Sequence, residues 1–371
     1  MTKLVFYIAL IVLALSCSSN STDVTKKKRL RFIENYSFYS GFQSGNSQIE
    51  ILNGKEYFCV GDFYSHKKIA VHSLADTSTF FIDLSQITDL GEHVMAYEII
   101  NLDSIMILTT VTNRVYFIHQ TGAIFHKIDF NEELNGVYEL RRSSTPFQYN
   151  DTSLIFSLGY HGLNTSFKTD EGIKKYSKER LDAKQILKVD NFNSDPVITH
   201  FVIPNIRARF MTPDDLQAEG SGFSFDNKFI FHSNYSDSIY LIDPITFELD
   251  AIAPIKSKYT QAFIQPVGYN EYKLVNKNVI SNGRIDKVLY DENLELYYCL
   301  ILHKPRENDW PWSIIVLDNN LKKMDEFLMD GTKYSSFAFI TKEGLLISNY
   351  YETVNDTDFY LKNTMTLFRY E

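Results

Sequence analysis

Apolar and polar positions alternate in two different rhythms along this chain. Leu4 to Leu15 form one almost unbroken apolar run. Beyond residue 30 the apolar positions come in short bursts punctuated by Asn, Asp, Gly and Ser, the pattern of many short strands. Helical periodicity is confined to Gly172–Leu187, and even that stretch closes on a strand-like Ile186-Leu-Lys-Val189.

One module recurs. It has an apolar strand, a polar turn, a second strand often ending in Asp, a short turn and a third strand. The first two strands read Ser104–Leu108 and Val115–His119, Lys228–His232 and Ile239–Asp243, and Leu296–Leu302 and Trp312–Asp318. Ser153–Leu158 opens a further copy before the turn Gly159–Gly162. Glu56–Val60 and Gly344–Ser348 begin the first and last copies, and Met365–Tyr370 closes the last. Six unevenly spaced copies result. A several-stranded unit repeated every roughly 40–50 residues is the sequence form of a propeller blade. Neighbouring blades cover both faces of each sheet, so its strands read as apolar runs rather than strict alternation. The expected fold is all-β, a six-bladed β-propeller spanning residues 30–371 as a single domain, with a β-sandwich as the alternative left open by the uneven spacing. The strand around Leu30–Ile33 is expected to pair with the last copy and close the ring.

Composition sharpens this picture. Tyr and Phe number 24 and 28 against 16 Gly and 9 Pro, and large flat side chains suit pleated faces. The formal charge of −9 argues against a nucleic-acid partner, which needs a basic face. Cys59 and Cys299 sit inside apolar runs, Tyr57–Val60 and Tyr297–Leu300. Both read as buried small hydrophobes, although pairing in an oxidising compartment stays open.

At the start, Met1-Thr2-Lys3, the apolar run and Ala14-Leu15-Ser16 together make a secretory signal. The run falls short of the roughly 20 apolar residues a membrane-spanning helix needs. Cys17 directly after it resembles the lipobox of bacterial lipoproteins. That family prefers Leu three positions before the Cys, where this chain has Ala14, with Leu13 one place further back. The resemblance implies cleavage after residue 16, a lipid on Cys17 and a membrane partner. Residues 17–29 then form a polar tether, since Ser18–Asp23 cannot bury enough apolar surface to order itself. Ser18, with no run of acids after the Cys, implies the outer membrane and a periplasm-facing leaflet.

Signal, tether and modules together resemble the uncharacterised propeller lipoproteins of Bacteroidota, related to six-bladed propellers of the NHL and TolB type. Trp312–Asp318 and Lys342–Asn349 carry most of that resemblance. It implies the fold of the whole mature chain and supplies no activity.

In such a ring the turns between the first and second module strands open on one rim, beside the connections between blades. That rim is expected to gather Tyr64, His66, Arg114, Tyr160, His161, Tyr235, His303, Lys304, Arg306 and Tyr350. Arg207 and Arg209 join them from the connection Pro204–Gly222. Aromatic and cationic groups of this kind serve a sugar, peptide or carboxylate ligand, although loop tips are polar in every β-protein. Catalytic grammar is missing: the nine histidines are scattered, and neither HExxH nor GxSxG occurs. Asp214, Asp215 and Glu219 read as solvated acids. The sequence assigns no catalytic residue or metal ligand and specifies no cofactor, with calcium left open. Two functions follow. One is an envelope binding or scaffolding propeller for a protein, peptide or glycan. The other is a hydrolase or lactonase with a channel-bound metal, whose inward carboxylates the sequence does not mark.

Overall fold

The computed structural model describes residues 29–40, 47–62, 67–76, 78–87, 94–109, 112–140, 147–150, 152–160, 171, 175, 179, 183–202, 221–225, 229–233, 237–243, 245–260, 282–304, 310–349 and 361–371. They form six antiparallel sheets, the blades of a six-bladed propeller. β1 (Leu30–Ser40) stands apart in sequence from the sheet it joins. Blade 1 holds β2 (Ser47–Leu52), β3 (Lys55–Asp62), β4 (Lys68–Ser73) and β5 (Thr79–Asp83). Blade 2 holds β6 (Val94–Asn101), β7 (Ser104–Thr109), β8 (Arg114–Ile118) and β9 (Ile124–Asp129). In blade 3 the first strand is split into β10 (Tyr138–Leu140) and β11 (Phe147–Asn150), both paired with β12 (Ser153–Tyr160), followed by β13 (Ile186–Asp190) and β14 (Val197–Phe201).

Blade 4 comprises β15 (Ser221–Phe225), β16 (Phe229–Ser233), β17 (Ser238–Ile242) and β18 (Leu249–Pro254). Blade 5 comprises β19 (Arg284–Asp291), β20 (Leu296–Leu302), β21 (Trp312–Leu317) and β22 (Lys323–Met329). Blade 6 takes β23 (Tyr334–Thr341), β24 (Gly344–Asn349) and β25 (Leu361–Tyr370) from the end of the chain and β1 from its start. The expected closing strand is therefore present and runs on to Ser40, in register from Leu30 opposite Tyr370 to Ser40 opposite Leu361. Arg29, assigned by composition to the tether, already exchanges backbone hydrogen bonds with Glu371 at 2.8 and 3.0 Å.

The modules read from sequence are the second and third strands of each blade. Successive side chains point to opposite faces of a strand, and both faces here are buried. On β7, Ile105 and Ile107 enter the core shared with blade 1, while Met106 and Leu108 enter the core shared with blade 3. On β20, Tyr298 and Leu300 face blade 6 and Tyr297, Cys299 and Ile301 face blade 4. Each core thus lies in a seam between two blades, and the ring is held by its seams. Cys59 belongs to the seam between blades 1 and 2 and Cys299 to that between blades 4 and 5, and both are free thiols.

Antiparallel pairing sends successive turns to opposite rims. One rim carries the short turns that join first to second and third to fourth strands. Asn53-Gly54 is such a turn, with φ of 51° and 77°, which suits a two-residue hairpin whose central positions both need positive φ. The other rim carries the second-to-third turns and the connections between blades. Within the stretch Gly172–Leu187 expected to be helical, Lys175 and Glu179 are helical, whereas Ala183–Gln185 are not and β13 begins at Ile186. A single helical turn, Asn131–Leu134, was not expected; it leads from blade 2 into blade 3 and buries Leu134 in their seam.

Candidate functional site

The connection rim is where ligand contacts were expected, and four of those residues are described. Arg114 opens β8 and its Nε lies 2.7 Å from Asp129 Oδ2 at the end of β9. Beside it Asn113 is buried, its Oδ1 accepting the Leu140 N–H at 3.1 Å. Tyr160 ends β12, donates its phenol hydrogen to Glu179 at 2.9 Å and packs against Tyr138 with ring centroids 5.5 Å apart. Lys304 is exposed. Tyr64, His66, His161, Arg207, Arg209, Tyr235, Arg306 and Tyr350, like Cys17, lie outside the described residues.

Blade 3 adds partners for Tyr160 that sequence reading missed. Tyr138 comes from the innermost strand and His200 from the outermost, with ring centroids 6.4 Å apart. Glu133 Oε1 lies 3.3 Å from His200 Nδ1. Burial, helped by Lys184, pushes the His200 imidazole below its ordinary value while Glu133 opposes the shift.

Blade 5 holds the most constructed part of this rim. His303 follows β20 and is turned inward instead of toward solvent. Its Nδ1 lies 2.6 Å from Thr260 Oγ1 and its Nε2 3.0 Å from Ser313 Oγ. The Ser313 hydroxyl donates to Glu326 Oε1 at 3.1 Å. Glu326 also accepts from the Ser257 hydroxyl at 2.5 Å, the Lys258 N–H at 2.7 Å and Lys323 Nζ at 2.7 Å. Burial works against the Glu326 charge, but the donors from Lys323, Ser257 and Lys258 outweigh it and hold the carboxyl below its ordinary value. A buried carboxylate is tolerable when its lone pairs are filled in this way. The network straps residues 257–260, arriving from blade 4, onto the outer strands of blade 5.

Two exposed aromatic side chains belong to this part of the rim, Tyr259 on the strap and Trp310 in the turn before β21. The Tyr259 ring meets His303 edge-on at 5.9 Å yet stays 45 % exposed, and Trp310 is 56 % exposed. Exposed Tyr and Trp side chains, with the exposed Lys304 on the same rim, are of the kind that dominates binding surfaces. His303 thus lies beneath the Tyr259 ring and is held by Thr260 and Ser313. Neither aromatic stood out in the sequence, because both fall between the repeated strands. Among the described residues, no group of three or more His, Cys, Asp or Glu side chains is placed to hold a metal ion.

Fold and rim together define a six-bladed propeller with one rim of tight turns and one of long connections. The sequence matches no family model and none of the curated proteins. Solved structures do resemble it. A member of the DUF4221 family from Bacteroides vulgatus superposes with a TM-score of 0.70 at 19% identity, covering 93% of this chain and 98% of its own. A candidate exported protein from Bacteroides fragilis gives a TM-score of 0.52 at 9% identity, covering 95% and 98%. At these identities the likeness shows the fold alone.

Proposed function

We propose that this chain is a lipid-anchored envelope propeller that binds a protein, peptide or glycan on its connection rim, through Tyr259, Trp310 and Lys304 of the blade 4–5 region. The observation that carries this reading is the exposed Tyr259 ring seated on the buried His303–Ser313–Glu326 network, with the exposed Trp310 in the adjoining turn before β21. A network of this kind rigidifies what it supports, and rigid aromatic anchors bind with little entropic cost.

The route of the chain supports the anchor. Arg29 joins the ring beside Glu371, on the rim of tight turns. A lipid on Cys17 would hold that rim toward the membrane and leave the connection rim free. The intervening Ser18–Lys28, fully extended, reaches on the order of 40 Å, enough to clear lipid headgroups. The outer membrane and a periplasm-facing leaflet remain part of this reading, resting on the residues around Cys17.

The test is capture in living cells. A tagged chain crosslinked in place should retain one dominant envelope partner or glycan, and the double substitution Trp310→Ala and Tyr259→Ala should abolish capture without changing the melting temperature. Undiminished capture by the double variant would overturn the proposed face.

A further inference from the structure

The hydrogen bonds beneath Tyr259 run in one direction. An ionised carboxylate only accepts, so the Ser313 hydroxyl, 3.1 Å from Glu326 Oε1, gives its hydrogen there. Its oxygen is left to accept from His303 Nε2, 3.0 Å away. In a neutral imidazole one nitrogen donates and the other accepts, so Nδ1 presents its lone pair. The Thr260 hydroxyl, 2.6 Å from Nδ1, is therefore the donor of that bond. Thr260, His303, Ser313 and Glu326 form a chain that leads from a hydroxyl to a carboxylate. Lys323, Ser257 and the Lys258 N–H fix its far end. Packing alone does not call for such a chain: among the described residues, the buried His72 and His232 each leave one ring nitrogen without a partner.

The two ends of the chain differ in exposure. His303, Ser313 and Glu326 are buried, whereas Thr260 is half-buried at the connection rim. A hydroxyl within reach of solvent thus rests on a base that is shielded from it. The backbone beside it has to stay bare, because a Cβ added at Gly283 would lie 2.5 Å from both Oγ1 and Cγ2 of Thr260. The Thr260 N–H makes no hydrogen bond among the described residues. That leaves a donor next to the hydroxyl, where the oxyanion of an attacked carbonyl would form. A hydroxyl, a base within hydrogen-bond reach and a third group that orients the base are the signature of an activated nucleophile.

We propose that Thr260 is an acyl-accepting nucleophile with His303 as its general base, and that this part of the rim hydrolyses carboxylic esters. The Thr260 oxygen attacks the ester carbonyl while its proton passes to His303 Nδ1, and the oxyanion faces the Thr260 N–H. Collapse breaks the ester C–O bond, and Nδ1 returns that proton to the leaving oxygen, which departs as an alcohol. Water then attacks the acyl-threonine and gives a proton to Nδ1. The carboxylic acid leaves and the Thr260 oxygen takes that proton back. Ser313 and Glu326 are positioning residues: they hold the Nε2 hydrogen and stabilise the imidazolium that forms at each step. The exposed Tyr259 ring offers a face for the carbon body of the ester. The activity shares the rim with the proposed binding face but needs no captured partner, so failure of the one is distinguishable from failure of the other.

The test is hydrolysis of p-nitrophenyl acetate by the purified full-length chain in dodecyl maltoside, with acid quenching and peptide mass mapping. Turnover above the buffer rate is expected, with an acetyl group on Thr260 in the quenched chain. Thr260→Val keeps the shape and loses the hydroxyl, and should slow turnover by about a hundred-fold or more. Thr260→Ser should keep it. Ser313→Ala should lower kcat and leave KM unchanged, the mark of a group that acts through His303 in the transition state. If Thr260→Val does not fold, the position of the acetyl group in the parent chain decides. Turnover no faster than in buffer, an acetyl group only on other residues, undiminished turnover in Thr260→Val or a parental kcat in Ser313→Ala would overturn the proposal.

Discussion

The Thr366 hydroxyl donates to Asn35 Oδ1 at 2.7 Å, joining positions 331 residues apart. This bond spans β1 and β25, the pair that closes the ring. Thr366 is fully buried, so its hydroxyl needs an acceptor. Replacing Thr366 with Val should cost about 1 kcal/mol, read as a lower denaturation midpoint. Deleting residues 30–40 should do far more, because it strips an entire outer strand and bares the β25 edge. A single cooperative unfolding transition that survives that deletion unchanged would mean β1 is dispensable.

Glycine requirements differ sharply between two turns of the same rim. Gly122 and Gly54 both have positive φ, at 83° and 77°, but nothing lies within 4 Å of a Cβ added at Gly54. Gly54→Ala should cost about 1 kcal/mol from backbone conformation alone. Gly122→Ala should cost clearly more, since its Cβ would collide with the Asp83 backbone. Equal melting temperatures for the two variants would contradict the close approach of blades 1 and 2.

Glu50 gives the ring a pH dependence with a definite sign. Its Oε1 accepts from Gln48 Nε2 at 2.6 Å and the Ile99 N–H at 3.3 Å across the blade 1–2 seam. Burial raises its carboxyl from 4.5 to about 8, against both hydrogen bonds. The folded state thus favours the protonated acid, and the unfolded chain releases that proton near its ordinary value. The stability tied to this proton is whole below about pH 4.5 and is lost as pH rises toward 8. Glu50→Gln should therefore gain melting temperature over the parent progressively across that window and hold the gain above it. A constant difference at all pH values would show that Glu50 does not titrate there.

His72 and His232 act at the acid end. Burial lowers both imidazoles to about 4, with Lys287 adding to the effect at His232. The unfolded chain takes up these protons near 6.5 and the folded chain only near 4, so stability should fall as pH drops through that range. Melting temperatures that stay flat between pH 6.5 and 4, once Glu50 is replaced by Gln, would contradict this.

Lipid attachment has its own check. Growth with an alkyne-tagged fatty acid should label the parent chain and leave Cys17→Ser unlabelled and released from the membrane fraction. A membrane-bound Cys17→Ser chain would overturn the anchor.

The repeat was legible in the sequence because its second and third strands are covered on both sides. Ser104–Thr109 and Trp312–Leu317 are apolar almost throughout for that reason. The innermost strands escaped notice because polar residues interrupt their apolar positions and many of them are only half-buried: β2 reads Ser-Gln-Ile-Glu-Ile-Leu and β19 Arg-Ile-Asp-Lys-Val-Leu-Tyr-Asp. The outer β9, Ile-Phe-His-Lys-Ile-Asp, is mostly exposed and reads as a turn extension. At the rim, His303 was noticed as a polar loop residue, but its partners Thr260, Ser313 and Glu326 come from three separate stretches and carry no shared local signal.

The central claim, that the connection rim of blade 5 is the contact face, is tested most directly by site-specific photocrosslinking in living cells. A photoreactive amino acid would replace Trp310 on that rim and, separately, Leu294 on the rim of tight turns, both exposed apolar positions. A single dominant adduct from position 310 and none from 294 is the predicted result. An adduct from position 294 alone, or equal yields from both, would contradict it.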